Sequence, residues 1–204
     1  NNRIVNFARS MVYGYFEAAN KADFSDAREV YRIINIPESR LQNIKIQLDK
    51  PYRYVRYVRP RGTFSIAEFA LLDENGEHIN FKPIACNAIM EDKDMMKIFD
   101  SNPLSYYEVN GGVDLWIGAD MKKAKKIQFL QFAPRNDDNA ISPKDCYELF
   151  YWNDKWISLG QKVASDFCIQ FDNVPKDALL WLKDLTKGHE ERPFTIKNGK
   201  QIWW

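Results

Sequence analysis

Tyr106-Tyr107 and the run Arg135-Asn136-Asp137-Asp138 carry the residue types that hold a sugar. An aromatic face suits the C–H side of a sugar ring, and a planar guanidinium beside amide and carboxylate groups suits neighbouring hydroxyls. A second reading of the same residues stays open: tyrosines packed beneath a loop, followed by an ordinary polar turn. Groups for covalent or acid–base chemistry are sparse. The two histidines are His78, after a turn, and His189, in the charged stretch Lys187-Gly188-His189-Glu190-Glu191-Arg192. The sequence has no HExxH, no GxSxG and no glycine-rich phosphate loop. Nothing flanking Cys86 or His189 supports them as a nucleophile pair, so the chain is expected not to be an enzyme. Cys86, Cys146 and Cys168 are odd in number and widely spaced, which gives no disulfide framework and no CxxC metal pair. They read as small buried hydrophobes.

The stretch Tyr52–Arg61 (YRYVRYVRPR) interleaves aromatics with arginines, a pattern seen where single-stranded nucleic acid is bound. Its alternation instead places Val55 and Tyr57 on one face of a strand and Tyr54 and Arg56 on the other. Lys+Arg 29 against Asp+Glu 28 leaves a net charge of +1, without the basic excess that phosphate binding uses. No apolar run approaches the length that spans a bilayer, and no signal peptide is present. The sequence starts Asn1-Asn2 without Met and is expected to be a piece of a longer protein.

The elements that must position these residues are short and β-rich. Ile44–Leu48, Tyr54–Val58, Ile66–Leu72, Val113–Ile117, Ile127–Phe132, Tyr147–Trp152, Trp156–Leu159, Phe167–Phe171, Ala178–Leu182 and Gln201–Trp204 fit strands by their β-branched and aromatic content. Asp73-Glu74-Asn75-Gly76 and Asn153-Asp154-Lys155 read as turns. Ser25–Tyr31 and Lys93–Phe99 are candidates for one or two helical turns. Many close-spaced strands predict an all-β sandwich or barrel.

The chain also resembles itself. Ile46-Gln47-Leu48-Asp49 is echoed by Ile169-Gln170-Phe171-Asp172, Glu68 by Glu191, and Asn75-Gly76 by Asn198-Gly199. From 47 to 170, 68 to 191 and 76 to 199 the separation is the same 123 positions. A shared register predicts a duplicated module. On this reading a complete copy occupies residues 75–204. A partial copy occupies 1–74 and lacks the counterpart of 80–123.

The order of motifs in the second copy resembles the discoidin-type domain, the coagulation factor V/VIII C-terminal or galactose-binding-like fold. Lys97–Tyr107 resembles that family's early Ala-Phe-Asp-Gly-Asp-x-x-Thr loop, and Leu115-Trp116-Ile117-Gly118-Ala119-Asp120 its Trp-Ile-x-Leu-Asp-Leu strand. Phe132-Ala133-Pro134-Arg135 resembles its Pro-Arg loop, and Tyr147–Trp152 with Trp156–Gly160 its Tyr…Ser…Trp motif. Ile66-Ala67-Glu68-Phe69 of the first copy resembles its closing strand. The tail Leu179–Trp204 resembles those of secreted or surface proteins of gut Bacteroidetes, often downstream of a transglutaminase-like unit.

The resemblance implies an eight-stranded jelly-roll sandwich that presents loops to a ligand without catalysis. It implies a structural Ca²⁺ held by Asp100, Asn102 and Ser105 and closed by Glu191, although Ser101, Asn102 and Ser105 stand where the family has glycine, a charge and threonine. The alternative for these residues is a solvated turn bonded to its own backbone. It brings the Tyr106-Tyr107 and Arg135–Asp137 loops to one end as a glycan site. The expected function is therefore a non-catalytic, carbohydrate-binding module of a secreted, periplasmic or surface bacterial protein. The competing expectation is a structural or protein-interaction module supporting an upstream peptidase-like domain. Trp203 is expected to pack in the core and Trp204 to lie against the first copy.

Overall fold

The computed structural model describes residues 2–90, 93–137, 141–165, 168–190 and 192–204, with 2–5, 189 and 190 described by backbone alone. The chain forms two compact units, 2–138 and 139–204. Both are antiparallel and β-rich, as the composition requires.

In the first unit a helix, α1 (Asn2–Arg9), precedes ten strands: β1 (Tyr15–Ala19), β2 (Arg28–Arg32), β3 (Gln42–Lys45), β4 (Tyr52–Arg61), β5 (Phe64–Ile66), β6 (Glu68–Leu72), β7 (Lys82–Ala85), β8 (Tyr107–Val109), β9 (Val113–Lys125) and β10 (Phe129–Ala133). A helical turn at Asn87–Met90 and a 3₁₀ segment at Lys93–Phe99 lie between β7 and β8. Five strands make one sheet in the order β2-β1-β4-β9-β7, three make another in the order β3-β10-β6, and β5 pairs β8. The two larger sheets face each other across one core. Phe16 of β1 meets Phe69 of β6 at 5.7 Å and Phe132 of β10 at 5.3 Å, ring centre to ring centre. Val55, Tyr57, Ile117, Leu71 and Leu130 fill the same core, all fully buried. This is an all-β sandwich.

β4 shows how the sequence pattern becomes structure. It runs between β1 and β9, so both of its edges are hydrogen-bonded. Val55 and Tyr57 enter the main core, while Tyr54 joins Ala19 and Phe24 in a smaller cluster on the outer face. Arg56 lies over the Phe24 ring at 3.9 Å and pairs with Glu17 through Nε at 2.6 Å. Arg53 holds Asp120 through two bonds of 2.8 and 3.0 Å. Arg56 therefore takes the outer face, as the alternation predicted, while Arg53 reaches Asp120 past a register shift between Tyr52 and Tyr54 that breaks the alternation. Gly14 is required by the same strand: a Cβ there would sit 2.4 Å from the Tyr57 hydroxyl oxygen.

The second unit holds β11 (Cys146–Asn153), β12 (Lys155–Val163), β13 (Leu180–Asp184), β14 (His189–Glu190), β15 (Phe194–Lys197) and β16 (Lys200–Trp203). They form one sheet, β12-β11-β13-β15-β16, with β14 on β13. Leu149, Leu180 and Phe194 are its buried centre, flanked by Tyr151, Leu182 and Trp203. Trp203 packs on Phe194 at 5.1 Å, whereas Trp204 is 65% exposed.

The expected division at 74/75 is not where the chain divides. β4 pairs β9 and β6 pairs β10, so segments before and after residue 75 share both sheets of one unit. The 123-position register does not bring the strands of the two units into step: it maps β11 (Cys146–Asn153) onto 23–30, past β1 (Tyr15–Ala19). The order β2-β1-β4 is matched by β12-β11-β13, in each case a hairpin whose first strand pairs antiparallel with the third. Gln47 and Gln170 both lie in irregular segments after the hairpin. Gly76 and Gly199 both close turns with positive φ, 78° and 71°. The two facing sheets belong to the unit 2–138, and the unit 139–204 is a single sheet.

Ser25–Tyr31 is not helical. It turns at Phe24–Ala27 and enters β2, whose backbone is claimed by pairing with β1. Phe167–Phe171 is not a strand among its described residues, 168–171.

Candidate functional site

The Tyr106-Tyr107 and Arg135–Asp137 loops do meet. Arg135 is the hub. Its guanidinium lies between two rings, 4.0 Å from Phe7 and 3.9 Å from Tyr106. Its Nε and Nη2 donate to the Asp137 carboxylate at 2.6 and 3.1 Å, and its Nη1 donates to Glu108 at 3.0 Å. With both faces stacked and three donors engaged, Arg135 fixes the loops instead of offering a fork to a ligand. Tyr107 is 4% exposed and meets Phe64 in the core, and Asn136 is 3% exposed. These placements correct the expected set. Tyr107 and Asn136 are buried, Arg135 and Asp137 are bonded to each other, and Tyr106 is left to present a ring. Tyr106 does so in a cleft of about 420 Å³, lined also by Asp94, Lys97, Leu104, Ser105, Tyr107 and Glu108.

The three residues expected as early calcium ligands converge next to this cleft. Asp100 Oδ2 accepts from the Ser105 hydroxyl at 2.8 Å, and Asp100 Oδ1 accepts from the Asn102 N–H at 2.8 Å. Asn102 Oδ1 accepts from the Leu104 N–H at 3.2 Å. The backbone-bonded turn is therefore present. Glu191 lies outside the described residues. Glu68, at the start of β6, stands beside Asp100, Asn102 and Ser101.

Glu68 is 6% exposed, and its Oε1 is buried with no hydrogen-bond partner. Burial, and then the charge of Asp100, push its carboxyl up to about 8, against a smaller pull from the N–H groups of Asn102 and Ser101. A buried orphan oxygen facing a second carboxylate is a position a hard cation satisfies. The oxygen donors Glu68, Asp100, Asn102 and Ser105 have the right chemistry for Ca²⁺. Among the described residues no group of three or more His, Cys, Asp or Glu side chains converges.

Cys86 is half-buried and its N–H donates to the Trp116 carbonyl at 3.1 Å. The His189 side chain lies outside the described residues. Among the described residues no helix is long and apolar enough to cross a membrane.

Sequence reading missed two features. One is Phe7, the second ring of the Arg135 clamp, which belongs to a helix no periodicity announced. The other is Glu68 as the partner of Asp100. The repeat itself held that signal, since it equates Glu68 with Glu191. No family model matches the chain, and no curated protein or solved structure matches it.

Proposed function

We propose that this chain is a non-catalytic carbohydrate-binding module of a secreted or cell-surface bacterial protein. Its scaffold is read as a discoidin-type jelly roll, a reading supported by the pairing of a five-stranded with a three-stranded sheet. One observation carries the functional reading. Tyr106 is clamped on Arg135 and lines a cleft that also carries two separate carboxylates, a hydroxyl and an ammonium group, from Asp94, Glu108, Ser105 and Lys97, with Lys97 paired to Asp94 and Glu108 to Arg135. A fixed ring surrounded by convergent polar groups is the minimum a monosaccharide needs for orientation. The clamp removes the ordering cost that a free tyrosine would bring to binding.

In the same reading Ca²⁺ sits between Glu68 and Asp100 and fixes the loop that carries Ser105 and Tyr106. The cation has a structural role there and touches no reacting group. Isothermal titration against mono- and oligosaccharides selected on a glycan array tests the reading. Binding that falls about tenfold or more in Tyr106→Ala supports it. Flat responses across the array, or equal affinity in Tyr106→Ala, refute it.

A further inference from the structure

The outward face of the second unit carries a strip of aromatic rings with no role in its core. Leu149 and Tyr151 of β11 and Leu180 and Leu182 of β13 point toward the buried cluster. Strand alternation therefore turns Glu148, Phe150, Trp152, Trp181 and Lys183 to the opposite side. Cross-strand pairing adds Trp156 opposite Trp152, and Ser158 opposite Phe150. The rings follow one another across three strands: Trp152 to Trp156 at 5.3 Å, Trp156 to Trp181 at 5.2 Å, and Trp181 to Phe150 at 5.8 Å. Successive planes are tilted by 73°, 46° and 42°, which makes a stepped surface. Trp152 is 47% exposed, and the other three rings are half-buried.

The first unit explains why this face is open. There the corresponding side of β1 and β4 is roofed by Phe24, from the 20–27 loop between β1 and β2. In the second unit the hairpin loop is Asp154 alone, between β11 and β12.

We propose that this strip is a second binding site, and that it takes a linear polysaccharide of neutral sugars. The polar groups on the face select that occupant. Glu148 accepts from Ser158 at 2.6 Å and from Gln161 at 3.2 Å, and the Lys183 ammonium lies 3.9 Å from the Trp181 ring centre. A carboxylate, a hydroxyl, an amide and one ammonium offer both donors and acceptors to sugar hydroxyls. On the three strands that carry the rings the described charged side chains of this face are Glu148 and Lys183, so no basic stripe runs with the rings to follow a phosphate backbone. Rings in steps match successive sugar rings along a twisted chain. The site stands on other residues than the Tyr106 cleft, so either reading survives the failure of the other.

Affinity electrophoresis of the full chain through gels containing β-glucan, xylan, mannan or galactan tests the proposal, with the urea midpoint of each variant as a fold control. Retardation by at least one polymer, reduced about tenfold in affinity in Trp156→Ala and in Trp181→Ala but kept in Tyr106→Ala, is the expected result. The Trp152→Ser variant, at the most exposed ring, repeats the test with the least structural disturbance. Retardation by none of the polymers overturns the proposal. So does retardation unchanged in all three tryptophan variants. Concentration-dependent self-association that Trp152→Ser abolishes, without polymer binding, also overturns it and assigns the face to a second copy of the chain.

Discussion

Replacing Glu68 by Gln tests the acidic site directly. In chelator, with no cation present, the buried carboxyl must either keep its proton or carry an uncompensated charge. Its ordinary value is 4.5 and the folded chain pushes it up to about 8. Below pH 4.5 both folded and unfolded chains hold the proton, and the group costs nothing. As the pH rises from there, the unfolded chain releases its proton first, so stability falls until the folded group ionises near 8. At about 1.4 kcal/mol per unit, the full penalty approaches roughly 5 kcal/mol above pH 8. Relaxation of the Asp100 loop reduces this to a few kcal/mol. Wild-type protein in EDTA is therefore expected to lose stability between pH 5 and 8.5 in urea melts, and Glu68→Gln to lose much less. The variant is then the more stable protein at pH 8.5. Adding Ca²⁺ at a hundred times its dissociation constant at that pH returns about 2.7 kcal/mol to the wild type. It returns little to Glu68→Gln, which cannot supply the second charge. Parallel pH profiles for the two proteins in EDTA would refute the account of Glu68, and calcium-independent midpoints in the wild type would remove the cation from it.

Three further outcomes follow from packing and charge. Gly14→Ala drives a methyl group into the Tyr57 ring, which is fully buried, and is expected to lower the urea-melt stability by roughly 1–3 kcal/mol. Phe132→Ala removes the ring that joins the two sheets at Phe16 and is expected to cost about 3–5 kcal/mol by the same measurement. Arg135→Met leaves Glu108 and Asp137 facing each other without their common partner, with a loss of about 3 kcal/mol in chemical denaturation. Arg135→Lys recovers only part of that, because an ammonium can neither fork onto Asp137 nor stack flat between Phe7 and Tyr106.

Local pattern was enough wherever a strand's own residues determined its state. The alternation in Tyr52–Arg61 assigns Val55 and Tyr57 to one side and Tyr54 and Arg56 to the other, and the sheet keeps that assignment. Asn153-Asp154-Lys155 becomes the β11–β12 turn with Asp154 at φ 55°, because a short polar side chain tolerates that backbone. Pattern failed where pairing partners decided. Ser25–Tyr31 has a helical start signal, yet β1 offers its backbone a ladder and the segment extends. Ile66–Leu72 reads as one run, but the chain leaves β5 for β6 at Ala67, whose N–H is taken by Ala133 at 2.8 Å.

Composition, turn chemistry and apolar alternation determined that this chain is β-rich and antiparallel, since those properties depend on neighbours two to four residues away. The repeat likewise marked Glu68 as the equal of Glu191. Only the tertiary structure decided that the chain divides near 138, that Arg135 is bound among Phe7, Tyr106, Glu108 and Asp137, and that Glu68 lies beside Asp100. Each of those facts rests on contacts between residues tens of positions apart. Their geometry is set by which strands pair, and pairing at that range leaves no mark in the local spacing of side chains.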